Sequence, residues 1–302
     1  LSSIPNPVLT IGTFDGVHLG HQKIIDKLND EAYKIGGESV LFTFYPHPRI
    51  VLYPDSHNLK LIQTQVEKID KLRRMGLDNV IVFPFTKEFS RLTATEFVRD
   101  YLANRLKVKK LVIGYDHQFG KNREGSIEFL KDVSDTYGFE VTEITAKEVD
   151  EVNVSSTKIR KSILDGEMAT AMKYLGEPFE IHGKVVRGQS LGTGLGFPTA
   201  NIDVESVIKL LPKNGVYAVN VLVSDWGIYE GMLNVGTKPT VSDGDEISIE
   251  VHLFDFEKDI YNEFVTVQFL KRIRDEMKFN SKEELTNQLI EDETTIRNYF
   301  IG

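Results

Sequence analysis

Residues 8–21 read VLTIGTFDGVHLGH. The run Val8-Leu9-Thr10-Ile11 has the character of a strand buried on both faces, and the glycines at 12 and 16 then break it. A helix is expected to begin near Val17, with Asp15 placed to cap it. The amino end of a helix offers unpaired N–H groups and the positive end of its dipole, which suit phosphate. His18 and His21, three apart, share one face of the first turn, and Gly20 between them permits close approach of a ligand. Three readings compete: a metal site, a phosphate cradle, or a tight turn with incidental histidines. Zinc is the weakest, because no third ligand follows at a typical spacing.

Working outward, residues 8–146 alternate strand candidates (Val8–Phe14, Ser39–Phe44, Asn79–Phe83, Lys110–Gly114, Phe139–Ile144) with helical patterns (His21–Lys34, Gln65–Met75, Ala94–Arg105, Ser126–Tyr137). Such alternation predicts an α/β domain with a Rossmann-like parallel sheet and right-handed crossovers. Ligands sit beyond the carboxyl ends of the strands in such sheets, which places residues 12–21, 44–49 and 114–125 along one rim. Helical stretches follow at 156–164 and 167–174. From GEPFEIHG (176–183) the style changes to short strands with turn signals: Phe179–Val186, Gly215–Val223, Tyr229–Val235, Ser248–Leu253 and Glu263–Leu270. Their spacing suggests an antiparallel barrel or sandwich, and of the two the β-barrel is the expected fold. Lys282–Tyr299 returns to helical periodicity. The expected division is 1–178 and 179–302.

Composition narrows the function. The chain has 302 residues, 41% hydrophobic and 27% charged, and carries a net charge of −9. Those proportions are those of a globular protein with one or two domains. A nucleic-acid or anionic-membrane binder needs a basic surface, which this balance does not supply, so neither is an expected partner. Cysteine is absent, which excludes disulfides and thiolate chemistry and fits a cytoplasmic protein. LSSIPNPVLT at the start does not have the pattern of a signal peptide.

GTFDGVHLGH resembles the HxGH signature of the adenylyl and cytidylyl transferases, with His18, Gly20 and His21 as the signature residues. SSTKIR (155–160) resembles that superfamily's second signature: Ser155, Ser156 and Thr157 open a helix that carries Arg160, a set suited to pyrophosphate oxygens. The resemblance implies that His18, His21 and Arg160 are catalytic. It assigns Gly12, Phe14, Asp15, Gly16, Gly20 and the three hydroxyl residues to the nucleotide. TFYPHP (43–48) and GYDHQFGKNREGS (114–126) resemble the flavin-adenylylating branch. That likeness makes His47, Pro48, Asp116, Phe119 and Arg123 the flavin-binding candidates; His117 stands where an aromatic residue is usual.

RGQSLGTGLGFPTANID (187–203) carries glycines at 188, 192, 194 and 196, a loop able to wrap phosphates. It lacks the GK[ST] ending of a Walker loop. Thr199 and Asn201 are alternate residues of an extended segment and offer a hydroxyl and an amide oxygen, hard ligands for Mg²⁺ on a nucleotide. The stretch resembles the GFPTAN motif of riboflavin kinases, and the likeness extends through NGVYAV (214–219), GMLNVGTKPT (231–240) and IEVHLFDF (249–256). It implies Gly188, Gly192, Gly194, Gly196 and Pro198 as nucleotide-binding residues, and Glu250 as the base that takes the proton of the riboflavin 5′-hydroxyl. RIRDEMKF (272–279) is similar to the family's flavin flap, with Arg272 and Arg274 as flavin or phosphate contacts. The family usually has Arg at the position of Thr193.

Together the halves resemble a bacterial bifunctional riboflavin kinase–FAD synthetase, from about Val8 to about Asn298. The resemblance implies that ATP phosphorylates riboflavin to FMN, that a second ATP adenylylates FMN to FAD with release of pyrophosphate, and that Mg²⁺ is the cofactor. Rival readings are a protein with one activity retained, or a flavin or nucleotide sensor without turnover.

Overall fold

The computed structural model describes residues 4–54, 59–115, 117–145, 154–188, 194, 196–204, 206–224, 226–239 and 245–302. The chain forms two compact units, Leu1–Ser156 and Thr157–Gly302.

The first unit is built on five parallel strands: β1 (Val8–Ile11), β2 (Ser39–Tyr45), β3 (Asn79–Pro84), β4 (Lys110–Gly114) and β5 (Glu140–Ile144), in spatial order β3-β2-β1-β4-β5. The order reverses between β1 and β4, so the loops leaving those strands part and open a crevice. Both faces are packed, as the unbroken apolar runs predicted. Leu9, Ile11, Val40, Phe42 and Leu111 form one core layer. Val8, Leu41, Val112 and the α1 residues Ile25 and Leu28 form the other.

The helices of this unit are α1 (Leu19–Lys34), α2 (Pro48–Leu52), α3 (Gln65–Arg74), α4 (from Ala94) and α5 (Ile127–Tyr137). Thr64 and Glu67 start α3 with reciprocal side-chain caps. α4 opens as an α-helix over Ala94–Phe97 and widens to a π-helix over Val98–Arg105. The pattern predicted helix there, but periodicity of apolar residues does not set pitch. α2 was not foreseen; His47 caps it through Nδ1, which accepts from the Arg49 amide at 3.2 Å.

The second unit begins at Thr157, one residue into α6 (Ser156–Asp165), and continues with α7 (Met168–Leu175). Their apolar residues Ile159, Ile163, Met168, Ala171 and Leu175 are buried, and α7 packs on β6 and β11. The units therefore divide ahead of the expected 178/179 boundary. Six strands follow: β6 (Phe179–Val186), β7 (Ala200–Asp203), β8 (Gly215–Val223), β9 (Gly227–Pro239), β10 (Asp245–Leu253) and β11 (Phe264–Arg274). They close an antiparallel barrel in the order β10-β7-β6-β11-β8-β9. The interior takes alternate residues, such as Tyr217, Val219 and Val221 of β8. On the outside, α8 (Lys282–Ile301) covers β8 and β9, setting Ile296 among Val216, Ala218, Met232 and Phe254.

Candidate functional site

Residues 8–21 sit at the crevice. β1 ends at Ile11, earlier than Phe14, because the backbone turns left-handed at Phe14 (φ 50°), Gly16 (φ 90°) and Val17 (φ 36°). For Phe14 and Val17 such φ values cost about 1 kcal/mol or more each, so the surroundings must hold them. α1 then starts at Leu19, and the residue that caps it is His18 instead of Asp15: His18 Nδ1 accepts from the His21 amide at 3.3 Å. Asp15 turns the other way, its Oδ1 accepting from Ile62 N (3.0 Å) and Gln63 N (3.3 Å). Ser156, at the start of α6, donates from Oγ to the Asp15 carbonyl at 2.9 Å.

The cap decides a tautomer. A ring nitrogen that accepts an N–H carries no proton, so neutral His18 bears its hydrogen on Nε2. Its ring stacks on His21 with centroids 3.7 Å apart, and His21 stacks in turn on Phe14 at 4.5 Å. Burial pushes the His18 imidazole down to about 4, with Lys71 adding to the effect. Burial, His18, Lys68 and Lys71 lower His21 well below the usual value. Both rings are therefore neutral hydrogen-bond donors near pH 7. His21 Nδ1 is buried without a partner among the described residues. Two glycines make the stack possible: a Cβ on Gly12 would lie 2.7 Å from the Phe14 ring, and one on Gly20 would press on His18 at 3.3 Å.

Beside the stack lies a cavity of about 810 Å³. Gly12, Phe14 and His21 form one wall, and Pro48, Phe119 and Arg123 another. Phe44, Phe85, Phe89 and Phe97 complete an aromatic side; of these only Phe44 belongs to a stretch with a sequence signal, TFYPHP. Three rim segments from separate strands thus converge here. His47 lies at the edge as the cap of α2, Gly16 packs on Ile62, and Ser155 precedes α6. Thr157 and Arg160 belong to the second unit, and Asp116 lies outside the described residues. Sequence reasoning missed Lys68 and Lys71, both buried on α3. Lysines in a charged amphipathic stretch read as solvent-facing.

In the barrel, Glu250 of β10 stands opposite Asn201 of β7 on one side and Asn234 of β9 on the other. A Cβ on Gly188 would overlap the Asn201 amide, so this glycine makes room for a side chain. Thr199 and Pro198 line a cavity of about 320 Å³ with Phe256–Tyr261, and the Pro198 carbonyl lies 2.8 Å from His252 Nδ1. Gly194 and Gly196 have open space where a Cβ would be, and Gly196 has φ 87°. Gly192 and Thr193 lie outside the described residues.

The two flap arginines have protein partners. Arg274 grips Asp292 of α8 through Nε (2.9 and 3.0 Å) and Nη2 (2.6 Å). Arg272 Nη2 donates to the Asn214 carbonyl and to Asp275 at 2.6 Å. Nothing in the sequence pointed to these contacts, which join residues far apart along the chain or across a turn.

Register brings the Glu250 carboxylate and the Asn201 amide together, whereas Thr199 lines a cavity to which neither contributes. Among the described residues no group of three His, Cys, Asp or Glu side chains could hold a metal unaided.

Comparison with known proteins agrees with this division. The FAD synthetase family model matches residues 2–158, and the riboflavin kinase model matches 175–300. The chain is 39% identical to the bifunctional riboflavin kinase/FMN adenylyltransferase of Escherichia coli K12, over 97% of this chain and 92% of that one. It is 38% identical to the protein of the same description from Listeria monocytogenes, over 98% and 93%. A solved Streptococcus pneumoniae structure, described as a macrolide-efflux protein, superposes with a TM-score of 0.88 and 38% identity, covering 97% of this chain and 94% of that one. Among the described residues no helix is long and apolar enough to cross a membrane.

Proposed function

The chain belongs to the bifunctional riboflavin kinase/FMN adenylyltransferase family: it phosphorylates riboflavin with ATP to FMN, then adenylylates FMN with ATP to FAD, and we propose that the residues above divide this work between the two units.

In the barrel, Glu250 takes the proton of the riboflavin 5′-hydroxyl as its oxygen attacks the γ-phosphorus of ATP and ADP leaves. Gly188, Gly192, Gly194, Gly196 and Pro198 shape the phosphate loop. Thr199 and Asn201 would hold Mg²⁺ against the nucleotide; the ion would neutralise phosphate charge there. The room that Gly188 leaves for the Asn201 amide supports that assignment. Arg272 and Arg274 are assigned to flavin or phosphate contact, with Arg272 held meanwhile by Asn214 and Asp275 and Arg274 by Asp292.

In the first unit, the stacked pair His18–His21 carries the reading. Two neutral imidazoles at the start of α1 present N–H groups toward a crevice where ligands of this sheet topology bind. They stabilise the α-phosphate while an FMN phosphate oxygen attacks in line and pyrophosphate departs. Gly12, Phe14, Asp15, Gly16 and Gly20 shape the loop around the nucleotide. Ser155, Ser156, Thr157 and Arg160 are assigned to the leaving pyrophosphate. The aromatic side of the 810 Å³ cavity, with Pro48, Phe119 and Arg123, takes the flavin, and the family resemblance assigns His47 and Asp116 to the same ligand. FMN supplies the nucleophile, so no covalent enzyme intermediate is needed. The cytoplasm, where ATP and flavin are both available, is the compartment this reading implies.

Incubation with riboflavin, ATP and Mg²⁺, followed by separation of products, tests the scheme. FMN should appear first and FAD later, with one pyrophosphate per FAD. ADP without FAD would refute the role given to the first unit.

A further inference from the structure

The loop from Gly12 to Val17 contains three left-handed residues, yet it must aim the Phe14–His21–His18 stack. Phe42, Thr43, Gln22 and Ser156 each bond it once, and residues 62–68 supply several further ties. Asp15 is tied to the Ile62 and Gln63 amides, and Gly16 packs on Ile62. Lys68, 6% exposed, donates its ammonium to the Thr13 carbonyl at 3.0 Å and to Thr43 Oγ1 at 3.1 Å, reinforcing the longer direct bond from Thr43 Oγ1 to the same carbonyl at 3.4 Å. Thr43 lies on β2, next to β1. One buried side chain therefore joins the loop, a sheet strand and α3.

We propose that Lys68 is a positioning residue for adenylyl transfer, tying Thr13 to Thr43 and thereby fixing the ring stack that faces the nucleotide. The proposal rests on the reading of His18 and His21 as the adenylyl-transfer pair. Two observations favour a role beyond packing. First, a buried ammonium is costly, and a neutral amide could bridge a carbonyl and a hydroxyl without that cost. Burial pulls Lys68 down to about 8 while Asp15 opposes this, so the group stays charged near pH 7. Second, that charge acts on the stack. The groups facing His21 are His18, which caps its helix, and Lys68 and Lys71 on α3, and all three depress its protonation. Protonating His18 at Nδ1 would remove the α1 cap, and two charged rings 3.7 Å apart would repel. The two lysines keep positive charge in the site while leaving the imidazoles neutral, which suits a polyanionic substrate.

The test uses full-length protein with Lys68→Met, Lys68→Gln, Lys68→Arg and His21→Ala. Adenylylation of FMN is measured from pH 3.5 to 9, so that the window spans the lowered His18 value, and riboflavin phosphorylation by the same preparations checks folding. Lys68→Met is expected to lower kcat for adenylylation roughly tenfold or more while the ATP KM changes less than about threefold, as expected when only transition-state alignment is lost. Its acid limb should move to higher pH, because the imidazoles lose a neighbouring positive charge. Lys68→Arg should restore part of the rate and the wild-type limb. Unchanged kcat, or a fall in kcat with the acid limb in its wild-type place, overturns the proposal. If Lys68→Met also loses riboflavin phosphorylation, Lys68→Gln decides: a several-fold fall in kcat at constant KM with the acid limb moved to higher pH supports the role of the buried ammonium, and no change overturns it. FAD formation by His21→Ala would instead sink the underlying assignment of the histidines.

Discussion

Replacing Asp292 with Ala should destabilise the barrel unit by about 3 kcal/mol, because breaking a buried ion pair from one side leaves a charge behind, at a cost of roughly 3–5 kcal/mol. Asp292 is 2% exposed and Arg274 18%. Three guanidinium contacts of 2.6–3.0 Å meet the carboxylate, and Gln288 Nε2 donates a fourth at 3.1 Å. The lower end of the range applies, since Arg274 keeps some solvent access and its Nη1 bond to the Asp275 carbonyl at 2.9 Å. Ile296 still seats α8 in its apolar seam, so the helix should remain docked. A loss of about 3 kcal/mol lowers the unfolding temperature by roughly 8 °C for a unit of this size. The chain has one tryptophan, Trp226, and it lies in this unit, so its fluorescence during urea unfolding reports the barrel selectively. Arg274→Met together with Asp292→Ala should recover part of the loss, because no charge is stranded. A change below about 1 kcal/mol in the single variant would refute the claim that this pair anchors α8.

Other perturbations give distinct outcomes. Gly188→Ala should cut riboflavin phosphorylation at least tenfold or so through displacement of the Asn201 amide, with FAD formation from supplied FMN intact; equal kinase rates would contradict the packing. Glu31 is held down to about 2, against an ordinary 4.5, by hydrogen bonds from Lys34 and then Lys110. Its folded value is depressed, so its contribution is complete above pH 4.5 and lost as pH falls toward 2; Glu31→Gln should flatten the acid limb of a stability–pH curve in that window. His18 is depressed from 6.5 to about 4, so stability should decline as pH falls through that interval while the unfolded chain binds the proton first. Proton NMR of its imidazole should show no titration near 6.5.

Much of this was legible in the sequence for physical reasons. Runs such as Leu9, Val40 and Leu111 lie in strands buried on both faces, and that burial removes polar alternation. The HxGH spacing placed both histidines at the amino end of a helix. What escaped notice depends on distant partners. The positive φ at Phe14 and Val17 shifted the cap from Asp15 to His18, because Asp15 is drawn to amides 47 and 48 residues away. Lys68 and Lys71 read as surface charge because only the tertiary fold buries them. Arg274 read as a ligand contact, whereas its grip on Asp292 depends on where α8 docks. Closure of the barrel rests on β7 pairing with β10 and β6 pairing with β11, long-range registers that local pattern does not encode.

Two separable sites in one chain are the central claim, and a crossed product assay of His21→Ala and Glu250→Gln tests it most directly. Given riboflavin, ATP and Mg²⁺, His21→Ala should accumulate FMN and make no FAD. Glu250→Gln should make no FMN from riboflavin, yet convert supplied FMN to FAD at the wild-type rate. A folded variant of either kind that loses both activities, or keeps both, would contradict the account.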